Sequence, residues 1–209
     1  AIKAHFTAMK DWLDAGWYGY YGAGWGDNQT PFENGDVAMW LGSSASFGGL
    51  RNSTAFEFSA TFLPYWEAVT SEPVSTFIGG AALFAMSGHD DAENAGAAEF
   101  FRFLSSAEVQ KFWHVETGYV PITQAAYDLT ADSGYYAETP QAEVGTLQLT
   151  QAVGDHNAGY RLGFYVQIRD VMNREYGRIF AGETDVESAF AVIEEEGNRL
   201  LQRFSQTLN

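Results

Sequence analysis

Apolar residues recur at helical spacing from the start of the chain. Ile2, Phe6, Met9 and Leu13 fall on one face and Gly16 follows them, so the spacing predicts a helix over 2–15. Asp90 or Asp91 opens a second helical stretch that runs to Leu104, with Ala97, Phe101 and Leu104 aligned. Ser106 is placed to cap a third, which carries Val109, Phe112 and Trp113. Beyond residue 121 the pattern is nearly all helical, over 123–129, 141–153, 167–181 and 184–204. In the last of these, Thr184-Asp185-Val186-Glu187 reads as a capping box, and Val186, Phe190, Ile193, Gly197, Leu200 and Phe204 line one face.

Three stretches follow other rules. Val37-Ala38-Met39-Trp40-Leu41 is short and continuously apolar, which predicts a strand buried on both faces. Phe56, Phe58, Ala60 and Phe62 alternate with Glu57, Ser59 and Thr61, a period of two with one wetter face. Residues 77–86 form an apolar run with a Gly pair and predict a third strand. Strands and helices first, then a helical tail, make the class α/β. Residues 16–30, rich in Gly, Tyr and Trp, read as an ordered loop.

The chain of 209 residues carries 27 acidic and 11 basic side chains, a net charge of −16. Such a surface repels nucleic acid and anionic lipid, so nucleic acid is not an expected partner. Cysteine is absent, which removes disulfides, thiolate metal sites and thiol catalysis together. No run of about 18 apolar residues suggests a membrane span. The chain starts Ala-Ile-Lys, without Met and without a signal-peptide pattern, and the expectation is that this start is a cut.

No Gly-x-Ser-x-Gly, phosphate loop or Gly-x-Gly-x-x-Gly is found, and no two of the four histidines share metal-ligand spacing. His89-Asp90-Asp91 sits at a helix start, where capping explains the acids. The reading is therefore non-catalytic, with no cofactor and no metal. Four features suit ligand binding. The turn Gly42-Ser43-Ser44 leads into a helix and offers hydroxyls and N–H groups to an anion or polyol, although plain capping by Ser explains it too. Gly79-Gly80 permits close approach of backbone to a ligand or to a packed helix. Arg161 and Arg169 could clamp a phosphate or carboxylate, or pair with surface acids. Aromatics are 16% of the residues, and the Trp and Tyr rings could stack on a sugar or line the core.

Taken in order, a longer series emerges. It runs Phe32-Glu33-Asn34-Gly35-Asp36-Val37-Ala38-Met39, Gly42-Ser43-Ser44-Ala45-Ser46, Ile78-Gly79-Gly80-Ala81 and Ala97-Ala98-Glu99-Phe100-Phe101. It continues with Thr117-Gly118-Tyr119-Val120-Pro121-Ile122-Thr123, Arg161-Leu162-Gly163, Gln167-Ile168-Arg169 and Gly197-Asn198-Arg199-Leu200-Leu201. This series resembles the C-terminal half of extracellular solute-binding proteins of ABC importers, nearest to those that capture sn-glycerol 3-phosphate. The resemblance covers essentially the whole chain.

The resemblance implies a type II periplasmic-binding-protein-like fold, two α/β lobes joined by a hinge, incomplete here and mainly helical at its end. Residues 1–57 would belong to the C-terminal lobe, 58–115 would cross to the N-terminal lobe, and 116–209 would return. The implied ligand is sn-glycerol 3-phosphate or a glycerophosphodiester, held in the interlobe cleft and delivered to a membrane permease from the periplasm. The aromatics keep a neutral sugar or oligosaccharide open as the alternative. By the matching motifs, Ser43 supplies a hydroxyl, Gly80 a backbone N–H, Tyr119 a contact to phosphate or glycerol, and Arg169 the charge clamp. Arg161 is the second choice of clamp. The implied partners are the permease and the N-terminal half of the same protein, without which the chain should expose apolar surface and bind poorly.

Overall fold

The computed structural model describes residues 1–24, 26–70, 74–76, 78–151, 159 and 161–208. The α-helices are α1 (Ile2–Asp14), α2 (Gln29–Glu33), α3 (Phe47–Ser53), α4 (Asp91–Leu104), α5 (Ala107–Thr117), α6 (Gln124–Asp132), α7 (Tyr135–Glu138), α8 (Val144–Leu149), α9 (Tyr165–Phe180) and α10 (Val186–Gln206). Two compact units divide the chain. One comprises Ala1–Trp40 with Tyr160–Asn209, the other Leu41–Gly159.

In the first unit α9 and α10 form the main packed pair and α1 lies against both. Ile168, Val171 and Ile179 of α9 and Ala189 of α10 are buried. Gly197 of α10 is buried over Ile168, where a Cβ would lie at an ordinary contact distance of 3.9 Å from Ile168 Cγ2. Phe6 of α1 stacks on Tyr176 of α9 with centroids 4.1 Å apart and meets Phe190 of α10 edge-on. Tyr18 and Tyr20 pack on Phe180, so part of the aromatic loop belongs to the core.

One carboxylate lies inside this packing. Glu175 of α9 is 1% exposed. It accepts from Arg174 Nε and Arg178 Nη1, both at 2.8 Å. Arg174 Nη2 also donates to Glu196 of α10 at 2.7 Å, tying the two helices together. A buried charge is tolerable because it is paired on both oxygens. The acidic run 194–196, legible as a solvated face, thus gives one member to this network.

In the second unit α5 packs on α6 and α3, with α4 and α7 adjoining. Phe47, Leu50, Ala126, Tyr136 and Ala142 are its buried apolar residues. Asp90 and Glu93 form a reciprocal capping box at α4, with bonds of 2.9 and 3.1 Å. Thr123 caps α6 by accepting from the Ala126 N–H.

The structure corrects several sequence expectations. No strand ladder forms among the described residues, so the segments 37–41, 56–62 and 78–86 run without one. Residue 77 of the third lies outside the described residues. Met39, in the run expected to be buried on both faces, is 87% exposed, and Phe84 in the third segment is 82% exposed. A strand pattern fixes which side chains share a face but supplies no neighbouring backbone, and a lone strand leaves its amides to water. Just outside these segments, two main-chain groups bond to a side chain. Gln148 accepts from the Leu63 N–H and donates to the Val74 carbonyl, both at 2.9 Å.

The α10 cap is Asp185 rather than Thr184. Its carboxylate accepts from the Ser188 N–H at 2.8 Å, which holds its pKa below the usual value, while Glu187 faces Lys3 instead. Ser106 occupies the N-cap of α5, but its hydroxyl donates to the Phe103 carbonyl. The helix expected over 141–153 is a 3-10 turn (Pro140–Ala142) followed by α8, and residues 152 and 153 lie outside the described residues. Helices α2 and α7 were not expected.

Removing both guanidiniums from Glu175 leaves a buried carboxylate unpaired. The double variant Arg174→Ala with Arg178→Ala is expected to lose about 3 kcal/mol in urea unfolding. Glu175→Leu, which leaves two half-exposed cations to water, should cost about 1 kcal/mol or less.

Candidate functional site

Ser43 is the N-cap of a short 3-10 helix, Ser44–Ser46, that runs into α3. Its backbone is extended and its Oγ accepts from the Ala45 N–H at 3.3 Å. The residue is exposed, so its O–H can still donate outward. Capping and ligand contact are compatible here.

Against this turn lies the end of α5. Gly118 closes α5 at φ +87°, and its N–H donates to the His114 carbonyl at 2.8 Å. A Cβ on Gly118 would be driven into the Ser44 carbonyl oxygen and would lie 2.9 Å from Phe47 Cβ. A Cβ on Gly48 would strike the Glu116 carbonyl and lie 3.0 Å from Thr117 Cα. One on Gly145, in α8, would lie 3.0 Å from Ser44 Cβ and 3.2 Å from Val120 Cγ1. Three glycines therefore let the Ser43 turn, the Tyr119 turn and the start of α8 meet. The sequence reading had placed the close approach at Gly79-Gly80. Nothing lies within 4 Å of a Cβ on Gly79, and only Ile78 Cγ1, at 3.8 Å, near one on Gly80. Gly80 is exposed on its extended segment, with its surroundings open.

Tyr119 presents an exposed ring from a tightly held backbone. Its N–H donates to Thr117 Oγ1 at 3.1 Å, and the Thr117 hydroxyl donates to the Trp113 carbonyl. Its carbonyl oxygen lies 2.7 Å from His114 Nδ1. His114 is 1% exposed, and its Nε2 lies 3.0 Å from the Tyr136 hydroxyl. A carbonyl can only accept, so Nδ1 carries the proton. In the neutral ring Nε2 then accepts from the Tyr136 O–H. Burial pushes the His114 pKa below 6.5, with the Tyr119 bond pulling the other way. Burial pushes the Tyr136 phenol up to about 12, helped by Glu143. The sequence reading missed His114. Its signal was a histidine in the last turn of a helix, where side chains reach terminal carbonyls.

Arg169 lies in the second turn of α9 and is exposed. The other two arginines of α9 are engaged by Glu175, Glu196 and Glu183. Among the described residues no carboxylate pairs with Arg169, nor with Arg161. Arg161-Leu162-Gly163 includes a packing element, because a Cβ on Gly163 would enter the Phe204 ring. Ser43, Gly80 and Tyr119 belong to the second unit and Arg169 to the first. His89 Nδ1 faces Glu93 at 3.1 Å and Asp90 caps α4, which accounts for the His-Asp-Asp run. In the aromatic loop Trp17 is 82% exposed and Tyr21 half-exposed, unlike Tyr18 and Tyr20.

Gly118→Ala combines a left-handed φ with a collision against main chain that cannot rotate away. It is expected to cost about 2 kcal/mol or more in urea unfolding, whereas Gly79→Ala should stay within about 0.5 kcal/mol. Because folding lowers the His114 pKa, the unfolded chain binds the proton better. The stability it confers is whole above pH 6.5 and is lost as pH falls from there through the folded value. The imidazole resonances of His114 are expected to titrate with a midpoint below 6.5 in an NMR pH series.

Comparisons with known proteins agree with the motif order. The family of bacterial extracellular solute-binding proteins matches residues 1–144. The sn-glycerol-3-phosphate-binding periplasmic protein UgpB of Pectobacterium atrosepticum is 37% identical over 205 residues, 97% of this chain and 46% of that protein. Its namesake from Escherichia coli is 34% identical over 204 residues, with the same two coverages. The chain thus spans about half the length of the curated relatives it matches. Among solved structures, UgpB from Mycobacterium tuberculosis in complex with glycerophosphocholine superposes with a TM-score of 0.81 at 22% identity, over 96% of this chain and 49% of that one. The cyclic alpha-maltosyl-1,6-maltose binding protein from Arthrobacter globiformis gives 0.70 at 24% identity, over 96% and 48%. The fold is accordingly that of type II periplasmic binding proteins, of which this chain holds about half. The chain belongs to the bacterial extracellular solute-binding proteins.

Proposed function

We propose that this chain is part of the solute-binding component of an ABC importer, non-catalytic and periplasmic, that captures sn-glycerol 3-phosphate or a related glycerophosphodiester. The observation that carries the reading is Arg169. It is exposed and without a carboxylate partner among the described residues, on a helix whose other arginines are committed and in a chain of net charge −16. A planar guanidinium binds phosphate oxygens in pairs. Ser43 contributes a hydroxyl donor, Gly80 a main-chain N–H in open surroundings, and Tyr119 a phenol on a rigid turn. The printed names of the relatives and the glycerophosphocholine of one structural neighbour support the same ligand class.

In this reading residues 1–57 and 116–209 serve one lobe of the complete protein and residues 58–115 the other. The remaining half of the relatives' length, expected on the N-terminal side, covers the exposed apolar segments and completes the cleft that closes and docks on the permease. A second reading, a neutral sugar or oligosaccharide, rests on Trp17, whose ring is almost wholly exposed and suited to stacking.

Calorimetric titration of sn-glycerol 3-phosphate into a polypeptide that joins this chain to that remaining half is expected to show saturable binding, and the chain alone should bind poorly. Arg169→Ala should weaken binding about tenfold or more, since charge-assisted bonds contribute about 1.5–3 kcal/mol. Affinity should fall with added salt. Unchanged affinity in Arg169→Ala would remove the clamp. Binding of a neutral oligosaccharide that is insensitive to salt and lost in Trp17→Ala would replace the phosphate reading with the second.

A further inference from the structure

His114 is almost completely buried, yet both of its ring nitrogens have partners at hydrogen-bond distance. One partner is the carbonyl of Tyr119, the residue that presents its ring to solvent. The other is the hydroxyl of Tyr136, itself buried. The Thr117-Gly118-Tyr119 turn is thus held at three points. Gly118 N–H bonds the His114 carbonyl, Tyr119 N–H bonds Thr117 Oγ1, and the Tyr119 carbonyl takes the His114 Nδ1 proton. Only the last of these three hydrogen bonds comes from a side chain in the core, so it ties the turn to interior packing alongside the wedge of Gly118 against Ser44 and Phe47.

We propose that His114 is a positioning residue for ligand capture. As the neutral Nδ1–H tautomer, fixed by the Tyr136 hydroxyl, it holds the Tyr119 turn in its binding geometry beside Ser43. This rests on the reading of Tyr119 and Ser43 as ligand contacts. Protonation at Nε2 would place a charge in the core and force the Tyr136 oxygen from donor to acceptor. Among the described residues, the ionisable groups around the imidazole offer no carboxylate in direct contact to hold that charge. They are the phenols of Tyr135 and Tyr136 from α7, Tyr127 of α6 with its ring tilted beside Tyr136 and its hydroxyl bonded to Glu143, and Arg51 of α3 bonded to the Tyr135 hydroxyl. The turn therefore belongs to the deprotonated state, and capture should weaken as pH falls through the His114 midpoint.

Three variants separate the parts. His114→Asn keeps an amide donor near the Nδ1 position and cannot titrate. His114→Phe removes both bonds, and Tyr136→Phe removes only the outer one. In the joined polypeptide, binding of sn-glycerol 3-phosphate at pH 7.5 is expected to fall about tenfold in His114→Phe and to stay within about threefold of the parent in His114→Asn. Between pH 7.5 and 5 the parent should lose more affinity than His114→Asn, because titration of the ligand's own phosphate is common to both. Amide exchange of Gly118 and Tyr119, read without ligand, should accelerate about tenfold in His114→Phe and less in Tyr136→Phe and His114→Asn. If the parent binds the phosphate and His114→Phe binds it equally well, the inference is overturned. If exchange at Gly118 and Tyr119 is the same in all four proteins, it is overturned as well. If the parent fails to bind while exchange follows the expected order, the positioning of the turn stands and the phosphate reading falls.

Discussion

The candidate site depends on one steric constraint, the contact of main chain with main chain where Gly118 meets the Ser44 carbonyl. Two turns that far apart in sequence can lie so close only if the crossing carries no side chain. The left-handed φ at Gly118 has a second effect. It ends α5 in place and turns the chain at Tyr119 out of the helix, so the phenol leaves the packed surface while its carbonyl stays under it. Gly48 repeats the device one layer away, against Glu116, and Gly145 brings α8 against the same Ser44 side chain. The hydroxyls of residues 43 and 44 and the ring of Tyr119 are consequently displayed by rigid, mutually wedged turns.

The two units handle a buried polar group in opposite ways. Guanidiniums reach both oxygens of Glu175, and those guanidiniums keep about half of their own surface in water. His114 has no such partner and is kept neutral by burial, with an acceptor at one nitrogen and a donor at the other. Each solution fits its place. Glu175 sits in the seam of two long helices, where Arg side chains can extend from the rim. His114 sits at the end of a short helix, under a turn, where only a carbonyl and a phenol are within reach.

Helices were legible because their information is local. The 3.6-residue period, an opening Asp at 90 or 91 and Gly16 placed α1 and α4 to within a residue. At α10 the capping-box pattern pointed to Thr184, but the adjacent Asp185, an equally competent cap, made the bond. The glycine that matters was harder. A Gly-Gly pair advertises close approach, but freedom to approach is not approach, and the contact belongs to Gly118, a lone glycine at a helix end. His114 was illegible for the reverse reason: its partners, a carbonyl five residues on and a phenol from another helix, exist only once α5, α6 and α7 have packed. Of the four residues taken from the motif order, Ser43 and Tyr119 come to adjacent turns, while Gly80 stands in open surroundings.

The strand segments show the limit of a chain reasoned about by itself. Alternation of Phe56, Phe58, Ala60 and Phe62 with polar residues specifies a face, and the run at 37–41 specifies two, but pairing needs a second backbone at hydrogen-bond distance along the whole segment. Among the described residues, Gln148 bonds the Leu63 N–H and the Val74 carbonyl, two main-chain groups just outside the strand-patterned segments. The helices of this chain satisfy their own main-chain groups within each element, so they form whatever else is present. Its strand-patterned segments cannot, and along them the apolar side chains of Met39, Leu41, Phe84 and Met86 are exposed. A sequence with self-sufficient helices and unsatisfied strands is patterned for a larger body than it builds alone, in keeping with a chain that spans about half the length of its relatives.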